Sequence, residues 1–183
     1  MAFWSNSSKV YEPLRQYRWY MLFGESALDK SRYALKDCSK PSFEIGISEH
    51  VLINDTFRFP KNLAWKPVTV KMAAVRDDKG DSLSKAFNDI IRKVGYATPA
   101  FSLQQISKNN FENNLAKSVE LIQVDANGND IEYWSLYNPI ISDINYGTLS
   151  YGSEEIVEIT FIINYDYATL ATLQGEEEQA ISP

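Results

Sequence analysis

The amino-acid sequence predicts a mainly β domain of the α+β class, a β-sandwich or barrel with one flanking α-helix and a long protruding β-hairpin. Three observations predict this architecture. Segments of alternating apolar and polar residues recur along the chain, turn residues separate them, and one stretch has the three- and four-residue apolar spacing of a helix. Of the 183 residues 44% are hydrophobic and 23% are charged, so the chain can bury a sizeable core.

The first sixteen residues mix Ser, Asn and Lys with aromatic side chains, among them Phe3 and Trp4. We predict an N-terminal arm over residues 1–16 that becomes ordered when it packs against a partner. The β-sandwich domain is predicted to span residues 17–170, and it opens with an aromatic strand over residues 17–23.

Residues 49–75 predict the long hairpin. A first strand alternates polar residues with apolar ones, and Pro60 interrupts it. A second strand follows over residues 66–74. Eleven extended residues reach about 36 Å at about 3.3 Å per residue. The hairpin can therefore project from a domain of this size. The apolar positions of its first strand are Val51, Ile53, Phe57 and Phe59.

One α-helix is predicted between Asp81, which can cap its start, and Gly95, which can end it in the left-handed conformation. The apolar residues between them form a single stripe, which is typical of a helix packed on a sheet. They are Leu83, Ala86, Phe87, Ile90, Ile91 and Val94. Residues 96–115 are predicted to be an irregular connection, with one short helical turn at 102–106.

Two further strands, 119–124 and 131–137, flank an Asn127-Gly128 pair that predicts a tight hairpin. The clearest alternation begins at Glu155 and continues to Tyr165. Residues 171–183 are predicted to be an acidic flexible tail.

The pattern of residues predicts no catalytic, cofactor or metal site. Cys38, the single cysteine, allows no internal disulfide, and a nucleophile would depend on the single histidine, His50. The loop after Asp125 resembles a calcium loop, but its glycine, Gly128, stands fourth instead of sixth and its twelfth residue is Leu136. We therefore predict a protein that is no enzyme and uses no cofactor.

Charge and hydropathy exclude further classes. The chain has 18 basic and 24 acidic residues, a formal charge of −6, and its basic residues are scattered. Tight binding to phosphate backbones needs clustered Lys and Arg, so strong nucleic-acid binding is not predicted. The sequence has neither an apolar run of membrane-spanning length nor a signal-like start, so the protein is expected to be made and kept in a cytosol.

The order of segments in the C-terminal third resembles a known family. Strand 131–137 is followed by Asn138-Pro139, an extended link, Leu149-Ser150-Tyr151, and a strand with Thr160-Phe161 and a closing Tyr165. This order is similar to that of the tail tube proteins of contractile-tailed, T-even-like bacteriophages and of the related tube-initiating subunits of their baseplates. The long hairpin followed by a helix matches as well, and the resemblance covers roughly residues 17–168.

The resemblance implies a structural subunit of homohexameric rings whose sheets join into an inner barrel. Stacked rings would form a tail tube through which genomic DNA passes without specific binding. It further implies sheath, baseplate and tape-measure proteins as partners, no membrane partner, and a place in the virion after assembly in the host cytoplasm. Two related alternatives remain: a ring that initiates or terminates the tube, and the inner tube of a bacterial contractile injection system.

Two unrelated classes also remain. A carbohydrate-binding β-sandwich would use Trp19, Trp65 and Trp134, and a small enzyme would need a pocket with His50 or a carboxylate pair.

An apolar strand with little edge protection is an aggregation hazard in a monomer, whereas a closed ring of six covers such an edge. We therefore predict a cyclic oligomer, and we expect its lumen to be net acidic or neutral. The predicted interface residues are Val51, Ile53, Phe57, Phe59, Trp65, Phe3 and Trp4.

Overall fold

Antiparallel strands dominate the structure, a computed structural model that describes residues 5–6, 9–10, 13–24, 28–76, 81–96 and 106–172. These residues form twelve strands, two α-helices and a 3-10 helix at Asp29–Ala34. No helix among them is long and apolar enough to cross a membrane. The α-helices are α1 (Leu83–Val94) and α2 (Lys108–Asn114). The strands are β1 (Ser5–Asn6), β2 (Lys9–Val10), β3 (Trp19–Leu22), β4 (Leu35–Cys38), β5 (Ser42–Leu52), β6 (Asp55–Lys66), β7 (Val68–Ala73), β8 (Ser118–Val124), β9 (Asp130–Tyr137), β10 (Ile140–Asn145), β11 (Glu158–Asn164) and β12 (Tyr167–Thr172).

Two four-stranded antiparallel sheets form the body. The first sheet has the order β12-β9-β8-β3 and the second has the order β10-β11-β7-β4. Their facing residues belong to one buried cluster, so the sheets pack as a sandwich, which confirms the predicted fold class. The first sheet contributes Met21, Val119, Leu121, Leu136 and Ala168, and the second contributes Val68, Val70, Met72, Ile159, Phe161 and Ile163.

Helix α1 flanks the sandwich as predicted, with Leu83, Phe87, Ile90 and Val94 buried. The ring of Phe87 lies 4.9 Å from that of Phe161, centroid to centroid. The predicted N-cap is wrong by one residue. Ser82 caps the helix, because its hydroxyl accepts the Lys85 N–H at 3.2 Å, whereas Asp81 pairs with the Lys85 ammonium at 2.5 Å.

The second helix, α2, was not predicted. It is seven residues long and buries only Phe111, so it has no apolar stripe that a periodicity could reveal. Ser107 caps its start by accepting the Asn110 N–H at 3.2 Å. Most of the helical turn predicted at 102–106 lies outside the described residues.

The long hairpin is present, but its predicted strands are wrong. It consists of β5 and β6, and β7 is a strand of the second sheet instead. The chain reverses at Ile53 and Asn54, between the paired residues Leu52 and Asp55. Pro60 does not end the strand, because it lies beside a bulge where Lys61 and Asn62 oppose Gly46 alone.

The predicted boundaries near the two ends of the chain can be compared with the structure only in part. Strand β12 continues to Thr172, two residues beyond the predicted end of the domain at residue 170. The remaining predicted tail and half of the predicted arm lie outside the described residues. Both stay predictions.

The turn after β10 requires a glycine at position 147, and this requirement can be tested by substitution. Gly147 has φ +83°, and a Cβ there would lie 2.6 Å from the carbonyl oxygen of Glu158. Gly128 has a similar φ of +86° but open space around the missing Cβ. We expect Gly128→Ala to lower the free energy of unfolding by about 1 kcal/mol, and Gly147→Ala to lower it by at least about 2 kcal/mol. Urea denaturation measures both, and equal losses would contradict the close approach to Glu158.

Candidate assembly surfaces

The hairpin of β5 and β6 stands away from the body of the domain. Every residue from 49 to 62 is exposed, although the segment includes Val51, Leu52, Ile53, Phe57 and Phe59. An isolated two-stranded hairpin is at best marginally stable in water. A hairpin with so many exposed apolar side chains indicates a surface that a partner covers.

The strand register places apolar residues on both faces of the hairpin. Val51 pairs with Thr56, and His50 pairs with Phe57, so the reversal at Ile53 moves Phe57 and Phe59 to the face opposite Val51. One face therefore has Phe43, Ile45, Ile47, Val51, Leu63 and Trp65. The other has Leu52, Phe57 and Phe59.

The predicted set of interface residues is thus divided by the structure. Val51 and Trp65 share one face, Phe57 and Phe59 share the other, and Ile53 lies in the turn with φ 54°. The single-face pattern predicted for Val51, Ile53, Phe57 and Phe59 is wrong, because the chain reverses in the middle of it. Phe3 and Trp4 lie outside the described residues.

Aromatic packing fixes the base of the hairpin to the domain. The ring of Trp65 lies 5.4 Å from that of Phe43 and 5.8 Å from that of Tyr165. The Tyr165 hydroxyl donates a hydrogen bond to the Lys66 carbonyl at 2.9 Å, and burial raises the pKa of Tyr165 to about 12. The base of the hairpin is therefore held at a defined position, while its far end is exposed.

A second exposed apolar segment connects β10 to β11. In residues 146–157 the side chains of Leu149, Tyr151 and Ile156 are exposed, Leu149 by 85%. A groove of about 830 Å³ lies along this loop, and its lining includes all three residues together with Lys36 and Val157. Lys36 forms an ion pair with Glu158 at the groove.

Both sheets end in open strands. Within the described ranges, β3 and β12 have no strand on their outer side, and neither do β4 and β10. Unpaired backbone N–H and C=O groups along such strands can pair with another copy of the chain.

The outward faces of the two sheets are both net acidic. The four strands of the first sheet contain no Lys or Arg. Their outward residues include Glu120, Asp130 and four tyrosines, of which Tyr20 donates a hydrogen bond to Asp130 at 3.1 Å. The outward face of the second sheet has two basic side chains, Lys36 and Lys71, and three acidic ones, Asp37, Asp143 and Glu158.

Two of the three tryptophans considered for sugar binding share a cleft. Trp19 and Trp134 line a space of about 640 Å³ at the edge of the sandwich, whereas Trp65 lies at the base of the hairpin. The Trp134 indole N–H donates to Glu132 at 2.6 Å. The Oε1 atom of Gln123 in the same cleft is buried and has no hydrogen-bond partner. A three-tryptophan sugar platform is therefore not formed.

The loop after Asp125 is a hairpin turn, as predicted. The Asp125 carboxylate accepts the backbone N–H groups of Asn127 at 2.7 Å and Asn129 at 2.8 Å, which lowers its pKa. Among the residues that the structure describes, no three His, Cys, Asp or Glu side chains form a group that could hold a metal ion. His50 lies exposed on β5.

Cys38 is half-buried, and its thiol donates to the Ser39 carbonyl at 3.3 Å. Burial, together with the charge of Asp37, raises the pKa of the thiol to about 12. Since the thiolate is the reactive form, we expect Cys38 to react with a disulfide reagent at pH 8 on the order of 10³-fold more slowly in the folded protein than in urea. A folded-state rate within tenfold of the unfolded rate would contradict the burial.

Comparisons with known proteins find relatives in fold but none in sequence. No protein-family model and no curated protein sequence matches the chain. A chain from the tube-terminating cap of the anti-feeding prophage has a TM-score of 0.65 at 16% identity, over 94% of this chain and 99% of that one. A chain from the sheath/tube terminator of an extracellular contractile injection system, PVC, has a TM-score of 0.65 at 14% identity, over 90% and 100%.

A chain from the baseplate of the anti-feeding prophage also matches, with a TM-score of 0.63 at 13% identity, over 91% of this chain and 100% of that one. At these identities the likeness concerns the fold, and it extends over nearly the whole length of each partner. The chain therefore has the tube-type fold of these cap, terminator and baseplate chains.

Proposed function

We propose that this protein is a structural subunit of a contractile particle, in which six copies form a ring and rings stack into the tube. The observation that carries the proposal is the hairpin of β5 and β6, which is anchored at its base and exposes apolar residues on both faces. A hairpin with two apolar faces is suited to lie between two neighbouring subunits. A monomer would leave both faces in water.

The open sheet edges support ring closure. All pairings within each sheet are antiparallel, and each sheet has four strands, so its two edge strands point in opposite directions. The edge strand of one copy can therefore continue the same antiparallel ladder into the opposite edge of the next copy. Repetition of this head-to-tail contact closes a ring when the rotation is right, and closure removes both free edges of the sheet that makes the contact.

A barrel formed by six copies would be wide enough to enclose a channel. Six four-stranded sheets give a barrel of twenty-four strands, and a strand spacing of about 4.8 Å gives a circumference of about 115 Å and a backbone diameter of about 37 Å. Strand tilt widens the barrel further. Either outward sheet face would line this channel with net negative charge, which favours the passage of duplex DNA without binding.

A position at one end of the tube is a second candidate. The anti-feeding prophage cap and the PVC terminator have TM-scores of 0.65, against 0.59 for a chain from the PVC sheath-tube complex. A terminal ring would contact the next ring through one end only. In either position the proposed partners are further copies of the chain, the sheath, the baseplate and a tape-measure protein, within a phage virion or an injection particle.

Sedimentation velocity of the purified protein over a range of concentrations tests the proposal. We expect a species with six times the mass of the 20.9 kDa chain, or discrete multiples of it. A single species of one subunit mass at every concentration would refute the ring.

A further inference from the structure

The cleft that Trp19 and Trp134 line is large enough to hold a small molecule. It lies between the two sheets, beside the edge strands β3 and β4, and has a volume of about 640 Å³. Pockets that bind small ligands commonly have volumes of about 300–1,000 Å³. Both tryptophans also pack against the buried core. The cleft therefore has two aromatic rings in its wall, each held from behind by the core.

The strand register places the side chain of Gln123 next to both rings. Trp19 of β3 pairs with Gln123 of β8. Trp134 of β9 pairs with Leu121, which lies two residues before Gln123 on the same face of β8, so Trp134 is a diagonal neighbour of Gln123. Direct and diagonal neighbours in a sheet are about 5 Å and about 7–8 Å apart. A ligand that contacts either ring is therefore close to the Gln123 amide.

The Gln123 amide has an acceptor that no described residue satisfies. The residue is 8% exposed, and its Nε2 atom donates to the Arg15 carbonyl at 3.3 Å. Because a carbonyl only accepts, this bond fixes Oε1 as the end of the amide that has no partner among the described residues. A buried acceptor without a donor costs free energy, so a ligand that supplies an N–H group gains affinity there. The last torsion of a glutamine is soft, which allows the amide to tilt toward such a donor.

The charged side chains of the cleft lining already have ionic partners. Lys40 pairs with Glu132 at 2.6 Å, Asp37 pairs with Lys71 at 3.8 Å, and Lys36 pairs with Glu158. The indole N–H of Trp134 is also used, because it donates to Glu132. An ionised ligand would compete with these pairs, whereas a neutral ligand leaves them intact.

We propose that the cleft binds a small neutral heteroaromatic molecule, whose ring lies against Trp19 and Trp134 and whose ring N–H donates to Oε1 of Gln123. A pyranose sugar fits this chemistry less well. It would bring several hydroxyl groups into the cleft, and those without a partner would lose their hydrogen bonds to water. This binding activity is separate from the proposed ring, so either can fail without the other.

Isothermal titration calorimetry with indole as the probe tests the inference. The matched control ligand is 1-methylindole, which has the same ring system but no N–H group. We expect indole to bind saturably at one site per chain, and 1-methylindole to bind at least about tenfold more weakly. Equal affinities for the two ligands, or no saturable binding of indole, would overturn the inference. Tighter binding of methyl glucoside than of indole would also overturn it.

The variant Gln123→Leu connects the ligand's N–H group to this side chain. It removes the acceptor and keeps the apolar part of the cleft, so indole and 1-methylindole should bind it with equal affinity. Ser135→Ala is the control variant, because Ser135 pairs with Glu120 on the outward face of the same sheet, and it should keep the preference for indole. A preference that persists in Gln123→Leu would refute the assignment of the acceptor. Circular dichroism checks that both variants are folded, and the comparison of the two ligands on the unchanged protein does not depend on either.

Discussion

Replacing both Phe57 and Phe59 by aspartate is expected to leave a folded subunit that no longer assembles. The two rings share one exposed face of the hairpin, so the folded monomer loses little when they are changed. In the assembly each buried phenylalanine contributes about 1.5–3 kcal/mol. The loss of both weakens association by about 10²- to 10⁴-fold at 1.4 kcal/mol per factor of ten, before the penalty of burying two carboxylates.

A matched control uses the same change at exposed residues outside the hairpin. Tyr96 and Ile106 are exposed by 51% and 60%, against 49% and 55% for Phe57 and Phe59. Mass photometry should find rings for the Tyr96→Asp/Ile106→Asp protein and subunits for the Phe57→Asp/Phe59→Asp protein. Equal assembly of the two variants would show that this face of the hairpin is not part of the interface. Circular dichroism checks that both variants are folded.

Truncation of Phe161 to alanine is expected to be the most damaging single change to the fold. Phe161 is fully buried on β11, and its ring lies 6.2 Å from that of Phe23 and 4.9 Å from that of Phe87. It thus joins the second sheet to helix α1 and to the residue after β3. Phenylalanine-to-alanine changes in well-packed cores lower the free energy of unfolding by about 3–5 kcal/mol.

Urea denaturation at low protein concentration measures this loss without a contribution from assembly. Phe59→Ala is the control, because the same atoms are removed from an exposed site, and its effect on the monomer should stay within about 0.5 kcal/mol. A loss below about 1 kcal/mol for Phe161→Ala would mean that the two sheets and α1 do not share the core described above.

The sequence predicts most reliably where a regular pattern coincides with burial on one face. β11 alternates buried Ile159, Phe161 and Ile163 with partly exposed residues, and α1 has a continuous apolar stripe. Both elements were predicted. The Asn127-Gly128 pair likewise predicted the turn between β8 and β9, in which Gly128 has the positive φ of 86° that glycine readily adopts.

The sequence-based prediction fails where contacts between distant parts of the chain decide which strands pair. Across the reversal at Ile53, apolar residues keep to odd-numbered positions apart from Asp55, so the pattern resembles that of one uninterrupted strand. A β-branched residue at φ 54° gives no turn signal. The edge strands β4 and β10 are short and mixed in composition, because each has only one neighbouring strand and buries few residues.

The candidate assembly surfaces were likewise predicted only in part. An apolar hairpin was predicted, and the structure contains one, but its two faces depend on a register that the sequence does not specify. The loop 146–157 was assigned no role, since its exposed Leu149, Tyr151 and Ile156 have no strand or helix period. Their exposure at the end of the second sheet opposite the hairpin becomes evident only in the structure.

Electron microscopy of the purified protein tests the central claim most directly, namely that the functional object is a closed ring of this chain. Class averages viewed along the axis should contain six subunits around an open channel, bounded by a wall whose backbone diameter is about 37 Å or more. Isolated particles of single-subunit size at concentrations well above micromolar, with no ring among them, would contradict the account.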